Sequence, residues 1–368
     1  MAFLKRGIGL LFRPIWWILR VIQWLAGLIC LLILLAVITA IPIAQFYSLG
    51  FLLDAMGRVA RSGRIRDGFP LIEHAPRLGS AVLGVWLVVL PLRLLAGAAA
   101  DARIIGAGSS GDVDTHSLLV FLGFLAFIHL TIALTRGARF SYFFRPLANL
   151  RWLMGSRELN HGGDICRFVR EMEIKRRTWL GCRGFYMSLL VLIPPTLIFA
   201  AARKTEGPSL IITFIGGLCL AAVLSWMPIL QARFALEDRA GALLEFRDTR
   251  RLFGHAPIAW VFTVLITLGL AFPLYLTKVV IPPKDAVGLI TLLYVVALYP
   301  GKLLAGWTYF RARTRETPAR LSVRAVARLL LIPILGGYTF LLFFTQFIGE
   351  HGRGTLFEHH AFLLRIGF

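Results

Sequence analysis

Carboxylates are scarce in this chain: 19 Asp and Glu stand against 40 Lys and Arg in 368 residues, and none of the 19 falls inside a long apolar stretch. Coupled pumps and cation transporters place Asp or Glu in the membrane interior, where a buried carboxylate can exchange a proton or coordinate an ion. Their absence argues against such coupling, with backbone carbonyls of broken helices as the one substitute. Cysteines are equally sparse. Cys30, Cys166, Cys182 and Cys219 form no CxxC pair and no metal-ligand spacing, so neither a disulfide nor a metal site is expected. There is no H-E-x-x-H, no phosphate-binding glycine loop and no G-x-S-x-G. No nucleophile stands beside a base, no cofactor is implied, and an enzyme becomes the least supported reading. The short alternating strands of a barrel are missing as well.

Apolar residues are abundant, at 58% of the chain with a mean hydropathy of +0.75. A soluble domain carries about 45–50%. They come in blocks of about twenty, the length a helix needs to cross about 30 Å of hydrocarbon. Helices pair every backbone group within their own segment, which lipid requires. The composition therefore predicts an all-α membrane protein with about eight spans: 22–43, 78–98, 117–136, 182–202, 208–230, 257–280, 286–310 and 326–348.

The chain repeats itself. Ile41-Pro42-Ile43-Ala44-Gln45 returns as Met227-Pro228-Ile229-Leu230-Gln231, and His74-Ala75-Pro76 as His255-Ala256-Pro257. Pro91-Leu92 returns as Pro273-Leu274, Ala133-Leu134 as Ala297-Leu298, and Leu192-Ile193-Pro194 as Leu331-Ile332-Pro333. The order is kept throughout. This long-period self-similarity predicts two tandem four-helix repeats, 22–204 and 205–350, between an amphipathic arm (1–21) and a tail (351–368). An even number of spans per repeat gives both copies the same orientation, about an axis along the membrane normal.

Charge orients the chain. The net charge is +21, which on a soluble protein would suggest nucleic acid; here no nucleic-acid partner is expected. Connectors 44–77, 136–183, 231–256 and 302–328 hold 28 of the 40 cations. Lys and Arg concentrate on the cytoplasmic side, so these connectors are expected there, in a cell's inner (cytoplasmic) membrane. The arm conflicts with this. Eight spans put it outside, yet it carries Lys5, Arg6, Arg13 and Arg20. It lies on the outer face, or the first segment re-enters without crossing.

Few side chains suggest chemistry. His129 stands near the middle of a span, and with Arg93 it outlines a polar path. The plainer reading is a neutral His129 bonded to a neighbour, with Arg93 snorkelling. Arg136, Arg139 and Lys302 flank Gly137 and Gly301 in equivalent spans and could share an anion or headgroup. Residues Asp164 to Arg177 read as an amphipathic surface helix, with Arg170, Lys175, Arg176 and Arg177 toward anionic headgroups. Gln45 and Gln231 are expected to satisfy carbonyls freed by the prolines before them. Glu358-His359-His360 reads as a solvated segment rather than a metal site.

The stretch beginning Ser48-Leu49-Gly50-Phe51-Leu52-Leu53-Asp54 and running to Pro70, with the tail Phe357-Glu358-His359-His360-Ala361-Phe362-Leu363-Leu364, resembles uncharacterised bacterial multi-pass membrane proteins of the planctomycete type. The resemblance implies a membrane protein over most of the chain and no activity. The residues then suggest a structural or accessory membrane component, binding anionic lipid or a membrane or cytoplasmic protein partner. The alternative is a passive or anion-directed transporter or channel with a path between the repeats.

Overall fold

The computed structural model describes residues 21–22, 24–72, 75–137, 140–155, 170–201, 208–278, 287–347 and 352–364. Among these, every regular element is helical and none is a strand. Among the described residues seven helices are long and apolar enough to cross a membrane. The chain is a multi-pass α-helical protein in that sense. The eighth expected span corresponds to a shorter apolar helix, α1 (Trp24–Thr39), which stops just before Pro42. Phenylalanine, leucine and isoleucine side chains lie 40–70% exposed along most of the long helices, including Phe124 at 63% and Phe214 at 66%. Apolar surface on that scale belongs in hydrocarbon.

The chain divides into two compact units, one of residues 1–31 and 71–173, the other of 32–70 and 174–368. Their boundaries do not follow the expected division into 22–204 and 205–350. In the first unit, α3 (Ala75–Gly106) and α4 (Ser110–Thr135) form an antiparallel pair, followed by a 3₁₀ turn (Phe140–Phe144) and α5 (Pro146–Gly155). Gly84 lets the Phe143 ring lie against α3: a Cβ there would stand 2.3 Å from the ring.

The second unit is built around α2 (Gln45–Ser62). Leu49, Phe51, Leu52, Leu53, Ala55, Met56, Val59 and Ala60 are at most 2% exposed. A helix apolar all round is a core helix. Packed against it are α6 (Ile174–Ala200), α7 (Pro208–Glu237) and α10 (Val287–Thr314). The approach is close because small residues sit at the crossings. A Cβ on Gly50 would lie 1.7 Å from the Arg177 carbonyl oxygen, and one on Gly181 would lie 1.9 Å from that of Phe46. Gly57 meets Ala235 and Gly306 meets Met56 in the same way. Without a hydrophobic drive between helices, such small-residue contacts are what packs them in lipid. A left-handed Gly63, φ 72°, ends α2 with its N–H bonded to the Val59 carbonyl at 2.8 Å.

The unit is completed by α8 (Phe246–Phe253), α9 (Pro257–Ala271), a 3₁₀ segment (Phe272–Lys278) and α11 (Leu321–Thr345). Pro42 and Pro228, matched in sequence, act differently. The chain breaks at Pro42 but α7 runs through Pro228. Pro228 has no N–H to give the Leu224 carbonyl, and the carbonyl next to it, that of Ser225, accepts from the Trp260 indole at 2.7 Å. Gln231 does not serve that purpose; it points into the core.

Several helices outrun their apolar centres. Asp101, Asp114 and Glu237 therefore do fall inside the candidate spans Gly79–Ile104, Val113–Thr135 and Ile211–Glu237, each within a turn of the span's end and away from its middle.

Candidate functional site

Three polar sites are built into the second unit. The first lies where α2 meets the start of α6. The Asp54 carboxylate accepts from Arg58 Nε at 3.0 Å, Arg176 Nη2 at 2.7 Å and Arg177 Nε at 3.3 Å. Arg177 is 1% exposed and its guanidinium lies 5.0 Å from the Phe51 ring centre. Burial alone would raise the Asp54 carboxyl, but the Arg176 hydrogen bond and the charges of Arg58, Arg177 and Arg176 hold it below its ordinary value.

The second is the centre of the unit, and the chain's own tail occupies it. After a 3₁₀ turn (Gly352–Phe357), residues Glu358 to Leu364 are all at most 6% exposed. Irregular backbone at membrane depth is tolerated only where protein covers it. His359 turns the chain with φ 39°, and its carbonyl accepts from the Phe362 and Leu363 N–H groups. Thr196 gives its hydroxyl proton to the Leu192 carbonyl, so the His359 Nε2–H must donate to Thr196 Oγ1, at 2.8 Å. The opposite ring nitrogen, Nδ1, is buried without a partner among the described residues. His360 Nε2 lies 2.9 Å from Glu358 Oε2 and 3.4 Å from the Tyr294 hydroxyl. Deeper in, Lys302 donates to Gln231 Oε1 and stands 3.5 Å from the Phe362 carbonyl, while Gln231 Nε2 donates to Ser188 at 2.8 Å.

Burial, and then the neighbouring His360, push the His359 pKa down to about 3 from an ordinary 6.5. A free tail therefore takes up the proton first as pH falls, and linkage runs against docking. Docking is expected to be strongest above pH 6.5 and to weaken steadily as pH falls below it. Thermal unfolding measured from pH 7 to pH 5 reads the slope. His359→Gln should flatten it; an unchanged slope would assign the effect elsewhere.

The third is a lateral groove of about 1400 Å³ between α7, α8 and α11. Phe214, Phe340, Phe343 and Phe344 line one end, and Arg247, Arg250, Arg251, Arg324 and Arg328 the other. The arginine end is tied together locally. Gly254 accepts from the Ala319 N–H at 2.8 Å, His255 accepts from Arg315 at 3.0 Å, and Arg328 lies 5.9 Å from the Phe253 ring centre.

The residues singled out from sequence are not gathered into one site. His129 Nε2 donates to the Phe143 carbonyl at 3.0 Å; a carbonyl only accepts, so the proton is on that nitrogen. Arg93 is exposed well inside α3, because that helix runs on to Gly106. Arg136 donates to Asn149 at 3.0 Å and stacks on Tyr142, which engages the guanidinium within the protein. Arg139 lies outside the described residues, as do residues 164–169 of the expected 164–177 helix. Where described, that helix is interrupted: Met172 and Glu173 form a turn, Glu173 at φ 44°, and Ile174 opens α6. Arg170 and Lys175 are exposed. Arg177 is a buried cation paired with Asp54 rather than a headgroup contact, and Arg176 shares the same carboxylate. Lys302, 3% exposed, is likewise no interfacial cation, because Gln231 and the tail enclose it. The tail itself is core, not solvated.

No family model, curated protein or solved structure matches the chain.

Sequence reading passed over Asp54 and the groove. The signal for Asp54 was a lone carboxylate four residues before an arginine within an otherwise apolar helix. The groove left a stripe at helical spacing, Arg324, Arg328, Leu331, Leu335 and Thr339.

Proposed function

We propose that this chain is a structural or accessory component of a bacterial cytoplasmic membrane whose basic face engages anionic lipid headgroups. One observation carries the reading. At one end of the second unit Arg247, Arg250, Arg311, Arg313, Arg320, Arg324 and Arg328 gather with no carboxylate at ion-pair distance among the described residues. Near a membrane surface each such cation is worth about 1 kcal/mol toward anionic lipid. By the distribution of Lys and Arg, that end faces the cytoplasm.

We read the architecture as two tandem four-helix repeats in the same orientation. Its support is the order of elements: α1–α2, a 3₁₀ turn (Ile65–Gly68), α3, α4 and α6 against α7, a 3₁₀ turn (Ala240–Leu244), α9, α10 and α11. Should α1 fall short of crossing, the seven long helices place the arm and the tail on opposite sides, and the four cations of the arm then lie with the basic connectors.

The test compares the protein in nanodiscs of phosphatidylcholine with and without phosphatidylglycerol. Anionic lipid is expected to raise the melting temperature, and salt to diminish the gain. Equal melting in both compositions overturns the reading. A second reading, an anion route through the second unit, is favoured by Lys302 in the middle of α10, since an intramembrane cation ordinarily marks function. Against it, the tail fills that centre. Anion efflux from proteoliposomes above the protein-free rate would decide for transport.

A further inference from the structure

We propose that the groove between α7, α8 and α11 is a binding site for one anionic phospholipid, with its phosphate among Arg250, Arg324 and Arg328 and its acyl chains along the phenylalanine-lined end. The proposal rests on the lipid-binding reading above and narrows it from a surface to a site. Three observations carry it.

The first is polarity along a single helix. Arg324 and Arg328 lie one turn apart at the start of α11, followed on the groove side by Leu331, Leu335, Phe340 and Phe344. From Leu331 to Phe344 is about 20 Å at 1.5 Å per residue, more than the roughly 15 Å depth of one leaflet. A ligand filling this groove is charged at one end and apolar for the rest of its length.

The second is size. The cavity, about 1400 Å³, exceeds the roughly 300–1,000 Å³ that suits drug-sized ligands. Small residues on α7, Gly217, Ala221 and Ala222, leave the space open. A free phosphate would fill only the arginine end and leave the apolar length empty.

The third is an unsatisfied donor. Arg324 Nε is buried without a hydrogen-bond partner among the described residues. Asp248 is the nearby carboxylate, and it is engaged by Arg233 at 3.5 Å and Arg251 at 4.0 Å. Charge at this end is therefore uncompensated from within, and a phosphate diester supplies both the charge and the acceptors.

Native mass spectrometry of the full chain, released from vesicles of phosphatidylcholine with phosphatidylglycerol, counts the retained phospholipid. One phosphatidylglycerol per chain is expected. The triple variant Arg250→Gln/Arg324→Gln/Arg328→Gln should weaken its binding about a hundredfold, as three near-surface cations at about fivefold each. Ala222→Trp, at an exposed position, should displace the lipid without touching a charge. The triple Arg311→Gln/Arg313→Gln/Arg320→Gln, outside the groove, should keep it. If both triples act alike and Ala222→Trp does nothing, the groove site is overturned while the basic-face reading stands. If lipid composition is immaterial throughout, both fall. Displacement by glycerol phosphate as readily as by lipid, or a dimer that Ala222→Trp dissociates, would show an anion site or a protein interface instead and overturn the proposal.

Discussion

Asp54→Asn should destabilise the protein by about 3 kcal/mol, in the range for breaking one side of a buried ion pair. The substitution keeps the shape and removes the charge. Arg58 is partly exposed, with 40% of its side chain accessible, and can turn to solvent. Arg177 cannot, because at 1% exposure it is fixed beneath Phe51 and Tyr47. The cost of losing Asp54 therefore concentrates in Arg177, and a double-mutant cycle should show it. Coupling between Asp54→Asn and Arg177→Gln is expected to be well above 1 kcal/mol, and that with Arg58→Gln within the 0–1 kcal/mol of surface pairs. Equal couplings would mean that the cluster is a surface network. The pH dependence has a definite sign. The Asp54 carboxyl is held below its ordinary value of 3.8, so its contribution is complete above that pH and is lost as pH falls through the lowered value. The His359 effect sets in below pH 6.5, where Asp54 still contributes in full, so the onsets of the two effects separate along one titration.

The sequence was readable where one element alone determines the outcome. Blocks of about twenty apolar residues become long helices because lipid leaves the backbone no other way to bond itself, and this predicted seven of them. It failed where burial depends on what several elements leave between them. Residues 45–62 carry Asp54, Arg58 and Arg61 and read as a connector, yet three helices close around them through Gly50, Gly57, Gly181 and Gly306. The trace was the seven-residue spacing of Gly50 and Gly57, which puts both near one face. Glu358-His359-His360 read as solvated by its polarity. The apolar Phe362-Leu363-Leu364 just beyond it anchors the segment in the core, and the polar groups follow it inside, meeting Thr196, Tyr294 and one another. Proline gave a further lesson. Pro42 and Pro228 are matched in sequence, but Trp260 covers a carbonyl before Pro228 and α7 continues, while the chain before Gln45 breaks. What a proline does to its helix depends on the neighbours packed around that turn, here the Trp260 indole on the Ser225 carbonyl, which local sequence does not display.

Gly181→Val should be among the most damaging single changes in the α2 packing, beside a side chain at Gly50 across the same crossing. A Cβ at this position stands 1.9 Å from the Phe46 carbonyl oxygen and 2.8 Å from the Gly50 nitrogen, both backbone atoms that no rotamer change can move. The helices must separate by an ångström or more. Overpacking of a core ordinarily costs about 1–3 kcal/mol, and a backbone-to-backbone clash stands at or above the upper end. The separation also pulls Arg177, one turn earlier on α6, away from Asp54, so the two sites are coupled. Asp54→Asn should therefore cost less in the Gly181→Val background than alone, by an amount comparable to the Asp54–Arg177 coupling. Gly184→Ala is the informative control. Its Cβ would meet the Leu53 side chain at 2.4 Å, a flexible group that can shift, and a loss of about 1 kcal/mol or less is expected. Unfolding in mixed micelles measures all three variants. If Gly181→Val and Gly184→Ala prove equally mild, α2 and α6 do not touch through their backbones, and the close crossing that places Arg177 over Asp54 is refuted with them.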